Sequence, residues 1–175
     1  MVRTEGLAGL SMRDLARQVG MRAPSLYSYF GSKHDIYDAM FAQGAREYVE
    51  GEAAVPITGD ALRDLKASAH FFLDFCTEDP SRYQLLFQRT IPGFEPSPGS
   101  FAIAVRGLDA MRARLTAIGI DEPQALDLLT AIGTGLTDQQ ISNDPGGDRW
   151  VRLADEAMEM FFAHQTQRRK RRTRP

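Results

Sequence analysis

The stretch Ser11–Lys33, SMRDLARQVGMRAPSLYSYFGSK, holds two short helical patterns on either side of a glycine turn. Ser11 followed three residues later by Asp14 is an acidic variant of the capping box that opens a helix. Met12, Leu15, Ala16 and Val19 then share one helical face. Gly20 can take the left-handed conformation that ends a helix at no steric cost. Pro24 suits the first turn of a second helix, where a missing N–H forfeits no bond. Leu26 and Phe30, four apart, point back at the first helix, while Ser25, Tyr27, Ser28 and Tyr29 spread over the other faces. The pattern stops near Gly31, and Ser32 is placed to cap a third helix. Two helices about a glycine turn, the second dense in small polar and aromatic groups, read as a helix-turn-helix DNA reader.

The distribution of charge agrees with that reading, although the net charge of −2 alone does not. Residues 1–34 carry +3 and residues 35–167 carry −11, and six further basic groups follow from Arg168 onward. A phosphate backbone is therefore steered toward the N-terminal end. With 43% apolar and 25% charged residues the composition is that of an ordinary globule, and the apolar runs are too short to span a membrane. No basic-then-apolar leader is visible, so a cytoplasmic location is expected. Cys76 is the only cysteine, which excludes an intrachain disulfide; among Phe72, Leu73 and Phe75 it reads as a core thiol.

Leu15-Ala16, Gly20, the run Pro24-Ser25-Leu26-Tyr27-Ser28-Tyr29-Phe30 and Lys33, all in one register, resemble the DNA-binding domain of the tetracycline-repressor (TetR) family of bacterial transcriptional regulators. The resemblance covers residues 4 to about 42. A weaker likeness to ligand-binding domains in part of the family runs from Asp79-Pro80-Ser81-Arg82-Tyr83 through Pro92-Gly93-Phe94. Family members begin with a full helix ahead of the segment seen here as Gly6–Ser11, whereas this chain has only Met1–Glu5 there. The domain is thus read as lacking most of its first helix, through a late start, a trimmed N-terminus or true loss. Such a loss is expected to expose Leu7, Leu10 and Phe41.

Beyond the reader, a long helix is predicted from Lys33 to about Glu50, with a break over Gly51–Gly59 around Pro56. Asp60 is placed to cap the next helix, whose stripe is Leu62, Leu65, Ala69, Phe72, Leu73 and Cys76. Asp79-Pro80 starts a short helix ending around Arg89, and Thr90–Ser100, with three prolines, is predicted irregular. Ala104, Leu108, Met111, Leu115 and Ile118 mark a helix, and Glu122-Pro123 opens another. Asp148 caps the last. No strand pattern or repeat appears, so the fold class is all-α: an N-terminal helix-turn-helix domain (1–43), a helical ligand-binding and dimerisation domain (44–167), and a basic disordered tail (168–175).

The resemblance implies roles for particular residues. A recognition helix presents its first turn to base edges, here Arg22, Ala23, Pro24 and Ser25, with Tyr27 and Ser28 one turn on. Tyr29 and Lys33 are candidates for phosphate contact, and Arg13 and Ser11 lie at the start of the preceding helix. Arg22 and Arg13 are best suited to guanine, while Ala23 and Pro24 offer only apolar contact. A second reading of Tyr29 is a core filler with a wet hydroxyl, and Arg17 reads as a solvated charge. An effector pocket is expected among Tyr48, His70, Phe71, Phe75, Phe87 and Met111, which favours a hydrophobic or aromatic small molecule; aromatic stripes of this kind also serve as plain core, and His70 also reads as a surface histidine. The wide apolar stripe of the last two helices, including Leu128, Ile132, Leu136, Val151, Met158 and Phe162, is expected to join a second copy.

The function expected is a ligand-responsive regulator, a repressor binding a palindromic double-stranded DNA operator as a homodimer and released by a small hydrophobic effector. The other reading is a dimeric helical ligand- or partner-binding protein whose DNA binding is impaired by the short N-terminus. An enzyme is not expected: His34, His70 and His164 are scattered, and no metal-ligand spacing, phosphate loop or nucleophile motif is present. No cofactor is implied.

Overall fold

The computed structural model describes residues 6, 7 and 9–172, and among them every regular element is helical. The helices are α1 (Met12–Gln18), α2 (Ala23–Tyr27), α3 (Lys33–Ala54), α4 (Ala61–Glu78), α5 (Pro80–Phe87), α6 (Pro98–Ala117), α7 (Pro123–Asn143) and α8 (Ala154–Arg172), the last preceded by a 3₁₀ turn, Val151–Leu153. Packing divides the chain into two compact units. Unit 1 is Met1–Glu47 with Asp79–Val105, and unit 2 is Tyr48–Glu78 with Arg106–Pro175. Sequence places boundaries by function at 43/44 and 167/168; packing instead joins α5 and the start of α6 to the reader.

Local chemistry explains the helix ends. The Ser11 hydroxyl accepts the Asp14 N–H at 3.4 Å, but the Asp14 carboxylate turns to Arg17 at 2.7 Å, so that box closes on one side. Gly20, at φ +69°, ends α1 with the Met21 N–H bonded to the Ala16 carbonyl at 2.8 Å. A full capping box opens α3: Ser32 Oγ accepts the Asp35 N–H and Asp35 Oδ2 accepts the Ser32 N–H, both at 3.2 Å.

Three helix boundaries differ from the sequence reading. Helix α3 runs through Gly51 to Ala54 and stops before Pro56, because the residue before a proline resists the helical conformation. Helix α6 starts at Pro98, inside the stretch predicted irregular, because Ser97 caps it and proline fits the first turn. The basic tail is helical through Arg172 rather than disordered from 168, as suits cations at a helix C-terminus.

Unit 1 is built around α3. Leu7, Leu10, Ile36, Tyr37, Phe41, Ala45 and Leu85 form its core, with Met12, Leu15 and Phe30 packed against it. Leu7, Leu10 and Phe41 are thus buried, each at 5% exposure or less, not exposed as the short N-terminus suggested. The Tyr37 hydroxyl donates to the Leu7 carbonyl at 2.6 Å, fixing the segment before α1 to α3. Gly44 lets α5 approach closely, since a Cβ there would lie 3.2 Å from Leu86. Asp38 accepts the Ser97 N–H at 2.7 Å and the hydroxyls of Ser97 and Ser100 at 2.9 Å each. Partial burial raises the Asp38 pKa, but these three bonds together outweigh it and hold the carboxyl below its ordinary range.

In unit 2, α4 packs on α7 and α8, which also pack on each other. Its core is Leu65, Leu115, Ile120, Ala125, Leu126, Met158 and Phe161. Gly133 of α7 admits the Phe72 ring, and Gly51 of α3 lies under Phe71. The Gln140 side chain accepts the N–H groups of Trp150 and Val151 at 2.9 and 3.3 Å, holding the turn between the last two helices. Arg169 lies over Gly119, the residue at φ +77° that closes α6.

Tyr37→Phe leaves the Leu7 carbonyl without its buried donor, so urea unfolding should report a loss of about 1–3 kcal/mol; a loss below about 0.5 kcal/mol would show the bond to be idle. Gly51→Ala gains about 1 kcal/mol of helix propensity, yet its Cβ would sit 2.5 Å from the Phe71 ring. Crowding of that kind costs about 1–3 kcal/mol. The substitution should therefore destabilise the native chain and turn stabilising in a Phe71→Ala background, a sign reversal that a merely local effect would not give. Because the folded-state pKa of Asp38 is lowered, its contribution is present above the unfolded value of about 3.9 and is lost as pH falls through the folded value. Asp38→Asn should thus be less stable than the native chain at pH 7, with the gap closing below about pH 4; equal stability at pH 7 would refute the role.

Candidate functional site

The reader helix α2 is five residues long, too short to persist on its own, and depends on the buried Leu26 beneath it. Pro24 stands in its first turn, and the N-cap residue Arg22 supplies no side-chain cap. The Ser28 hydroxyl donates back to the Ser25 carbonyl at 2.7 Å, which tightens the end of the helix. With Leu26 turned inward, Arg22, Pro24, Ser25, Tyr27, Ser28 and Tyr29 are all exposed and Ala23 is half-buried. Tyr29 is 74% exposed and Tyr27 53%, which rules out the core-filler reading of Tyr29. Arg13 is exposed on α1, and Ser11 is half-buried with its oxygen engaged as the cap.

Lys33 begins α3, where a cation opposes the helix dipole. Its ammonium lies 5.5 Å from the centre of the Tyr37 ring, whose π-face offsets part of that cost. The same ring meets Phe94 edge-on at 5.6 Å, and His34 lies 6.0 Å from Phe94. A cleft of about 510 Å³ opens beside them, lined by His34, Arg89, Ile91, Pro92, Gly93, Phe94 and Glu95. Neither this cleft nor the role of Asp38 is legible from local spacing, because both depend on the loop after α5 folding back on α3.

The expected pocket residues separate. Tyr48, Phe71 and Phe75 come together, with ring centres 5.3 to 5.9 Å apart, and Phe72 closes the cluster edge-on to Tyr48 at 6.2 Å. Met111 packs against the unit 2 core. Phe87 belongs to unit 1, where it stacks on Tyr83 at 5.7 Å. His70 is a surface residue, its side chain half exposed and bonded to Asp155 at 2.8 Å, so it does not line an interior pocket. Sequence spacing missed Glu52, a carboxylate only 2% exposed that faces Ser68 and Arg114.

Among the expected interface residues, Leu128 is 41% exposed and Leu136 and Val151 are half-buried. Ile132 and Phe162 are half-buried and lean on the unit 2 core. Met158 is different: at 1% exposure it is part of that core and is unavailable to a second copy, because it fills the space between α8 and its neighbours. Met160 at 68% and Leu153 at 36% are the exposed apolar groups at that end of the chain. Among the described residues no group of three or more His, Cys, Asp and Glu side chains could hold a metal ion, and no helix is long and apolar enough to cross a membrane.

Residues 2–40 match the sequence profile of bacterial regulatory proteins of the tetR family. The HTH-type transcriptional activator FasR of Mycolicibacterium smegmatis is 27% identical over 130 residues, which is 66% of this chain and 59% of that protein. An HTH-type transcriptional regulator of Mycobacterium bovis is 27% identical over 109 residues, 60% of this chain and 47% of that protein. The chain therefore spans only about half of the length of these relatives. Among solved structures, the regulatory protein SCO4313 superposes with a TM-score of 0.71 at 20% identity, over 93% of this chain and 89% of that one. A TetR variant from Acinetobacter baumannii AYE in complex with minocycline gives 0.65 at 20% identity, over 95% and 90%. These structural likenesses show a shared fold. Over its helix-turn-helix the chain is similar to the DNA-binding domains of bacterial regulatory proteins of the tetR family.

Proposed function

We propose that the protein is a ligand-responsive regulator that binds a near-palindromic DNA operator as a homodimer and represses until a small hydrophobic effector releases it. The observation that carries this reading is the reader itself: one buried leucine fixes a short helix whose remaining face is arginine, serine and tyrosine in solvent. Phosphate contacts from Tyr29 and Lys33 set affinity and register, and Arg22 and Arg13 read base edges. One such helix makes a small interface, so two are needed, about 34 Å apart across one turn of DNA. Leu128, Leu153 and Met160 supply exposed apolar surface for joining two copies. An effector that favours a different separation of the readers weakens binding without touching them. The relative FasR bears the name of an activator; repression is proposed here as the simplest result of an operator overlapping a promoter. A regulator of this kind works beside the chromosome, in the cytoplasm.

Selection of genomic fragments by the purified protein at moderate salt should recover a near-palindromic sequence. Recovery of none would favour a helical binding protein without operator recognition. On the recovered site, Tyr29→Ala and Lys33→Ala should weaken binding to all sequences by roughly tenfold, whereas Arg22→Ala should relax preference at one position; equal, uniform losses from all three would remove the base-reading role of Arg22. A promoter fused to a reporter gives the sign, with repression expected in the absence of effector and activation the contrary result.

A further inference from the structure

Glu52 holds an unusual position in unit 2. Its side chain is 3% exposed, and one oxygen, Oε1, accepts the Ser68 hydroxyl at 2.9 Å and faces Arg114 Nε at 3.4 Å. The guanidinium is committed to the same cluster, with Nη2 donating to the Glu52 carbonyl at 2.6 Å and Nη1 to Ser68 at 3.4 Å. The other carboxylate oxygen, Oε2, is buried with no hydrogen-bond partner among the described residues. Leaving such an oxygen unmatched costs more than an ordinary bond returns. Desolvation accordingly pushes the Glu52 pKa up.

One helical turn back along α3, Tyr48 faces the rings of Phe71, Phe72 and Phe75. A Cβ on Gly107 of α6 would lie 3.4 Å from the side chains of Tyr48 and Val49, so α3, α4 and α6 converge here. Tyr48 of the aromatic wall and Glu52 with its unmatched acceptor thus stand one turn apart on the same helix. The chemistry of the head group follows from what the cluster already contains. Glu52 and Arg114 balance in charge, so a cationic head would bring a buried charge with no counterpart, and an anionic head would meet the carboxylate. A neutral donor satisfies Oε2 without either penalty.

We propose that Glu52 and the Tyr48–Phe71–Phe75 wall form a binding site for a neutral aromatic molecule bearing a hydroxyl or amide donor. The site rests on the reading of the helical body as effector-binding, and it names the effector's chemical class. Calorimetry on the full chain, without DNA, compares 2-naphthol with 2-methoxynaphthalene, which has the same ring and no donor, and with 2-naphthoate, which is anionic. The naphthol should bind about tenfold or more tightly than the ether, as a hydrogen bond to a charged group allows, and the naphthoate most weakly. In Glu52→Gln, with helicity checked by circular dichroism, the advantage of naphthol over the ether should shrink to within about threefold. Should that variant unfold, the ligand series on the native chain decides alone. Equal affinity for naphthol and ether, tighter binding of naphthoate, or no binding by any of the three would overturn the site. Naphthol binding that leaves operator affinity unchanged would instead keep the site and refute its role in regulation.

Discussion

Unit 1 hangs on one hydroxyl. Tyr37 is 1% exposed, its O–H reaches across thirty residues of sequence to the Leu7 carbonyl, and its ring serves three more purposes at once. Lys33 lies over it, Phe94 meets it edge-on and His34 packs beside it. The segment before α1, the start of α3 and the loop after α5 are therefore referenced to a single rigid group. A five-residue helix such as α2 needs such a reference, since little of its geometry comes from its own hydrogen bonds. Its placement is inherited from α1 behind it and α3 after it.

The two units treat polar burial differently. In unit 1 the half-buried carboxylate, Asp38, has three donors and is content with its charge. In unit 2 the fully buried carboxylate, Glu52, has donors on one oxygen only. A satisfied network rigidifies, and a partly satisfied one is a place where structure can still change. Unit 1 thus holds its buried charge in a closed network, and unit 2 holds its own in an open one.

Much of this was legible in sequence where the signal is local. Ser11, Gly20, Pro24 and Ser32 act at their own or adjacent turns, and the helix-turn-helix followed from them. The exposure of Tyr27 and Tyr29 was implied once Leu26 and Phe30 were assigned inward. What sequence could not supply is pairing at a distance. Glu52 reads as one more acid on a long helix until Ser68 and Arg114, 16 and 62 residues away, are seen around it. Pro98-Gly99 reads as a turn until Asp38 and Ser97 are found at the head of α6. Met158 shares its spacing with surface neighbours, and only the packing of α8 shows it to be core.

The bonds to Asp38 also bear on how the chain is made. The cap residue of α6, Ser97, is held by a carboxylate 59 residues earlier. During synthesis, residues around Asp38 leave the ribosome long before Ser97, so that carboxylate waits in water while α4 and α5 emerge. The start of α6 gains its full stability only when it returns to α3, a long-range closure whose entropy must be met first. Assembly of unit 1 is thereby tied to translation well past the reader, and a nascent chain holding the complete helix-turn-helix would still lack the contact that seats α6 on it.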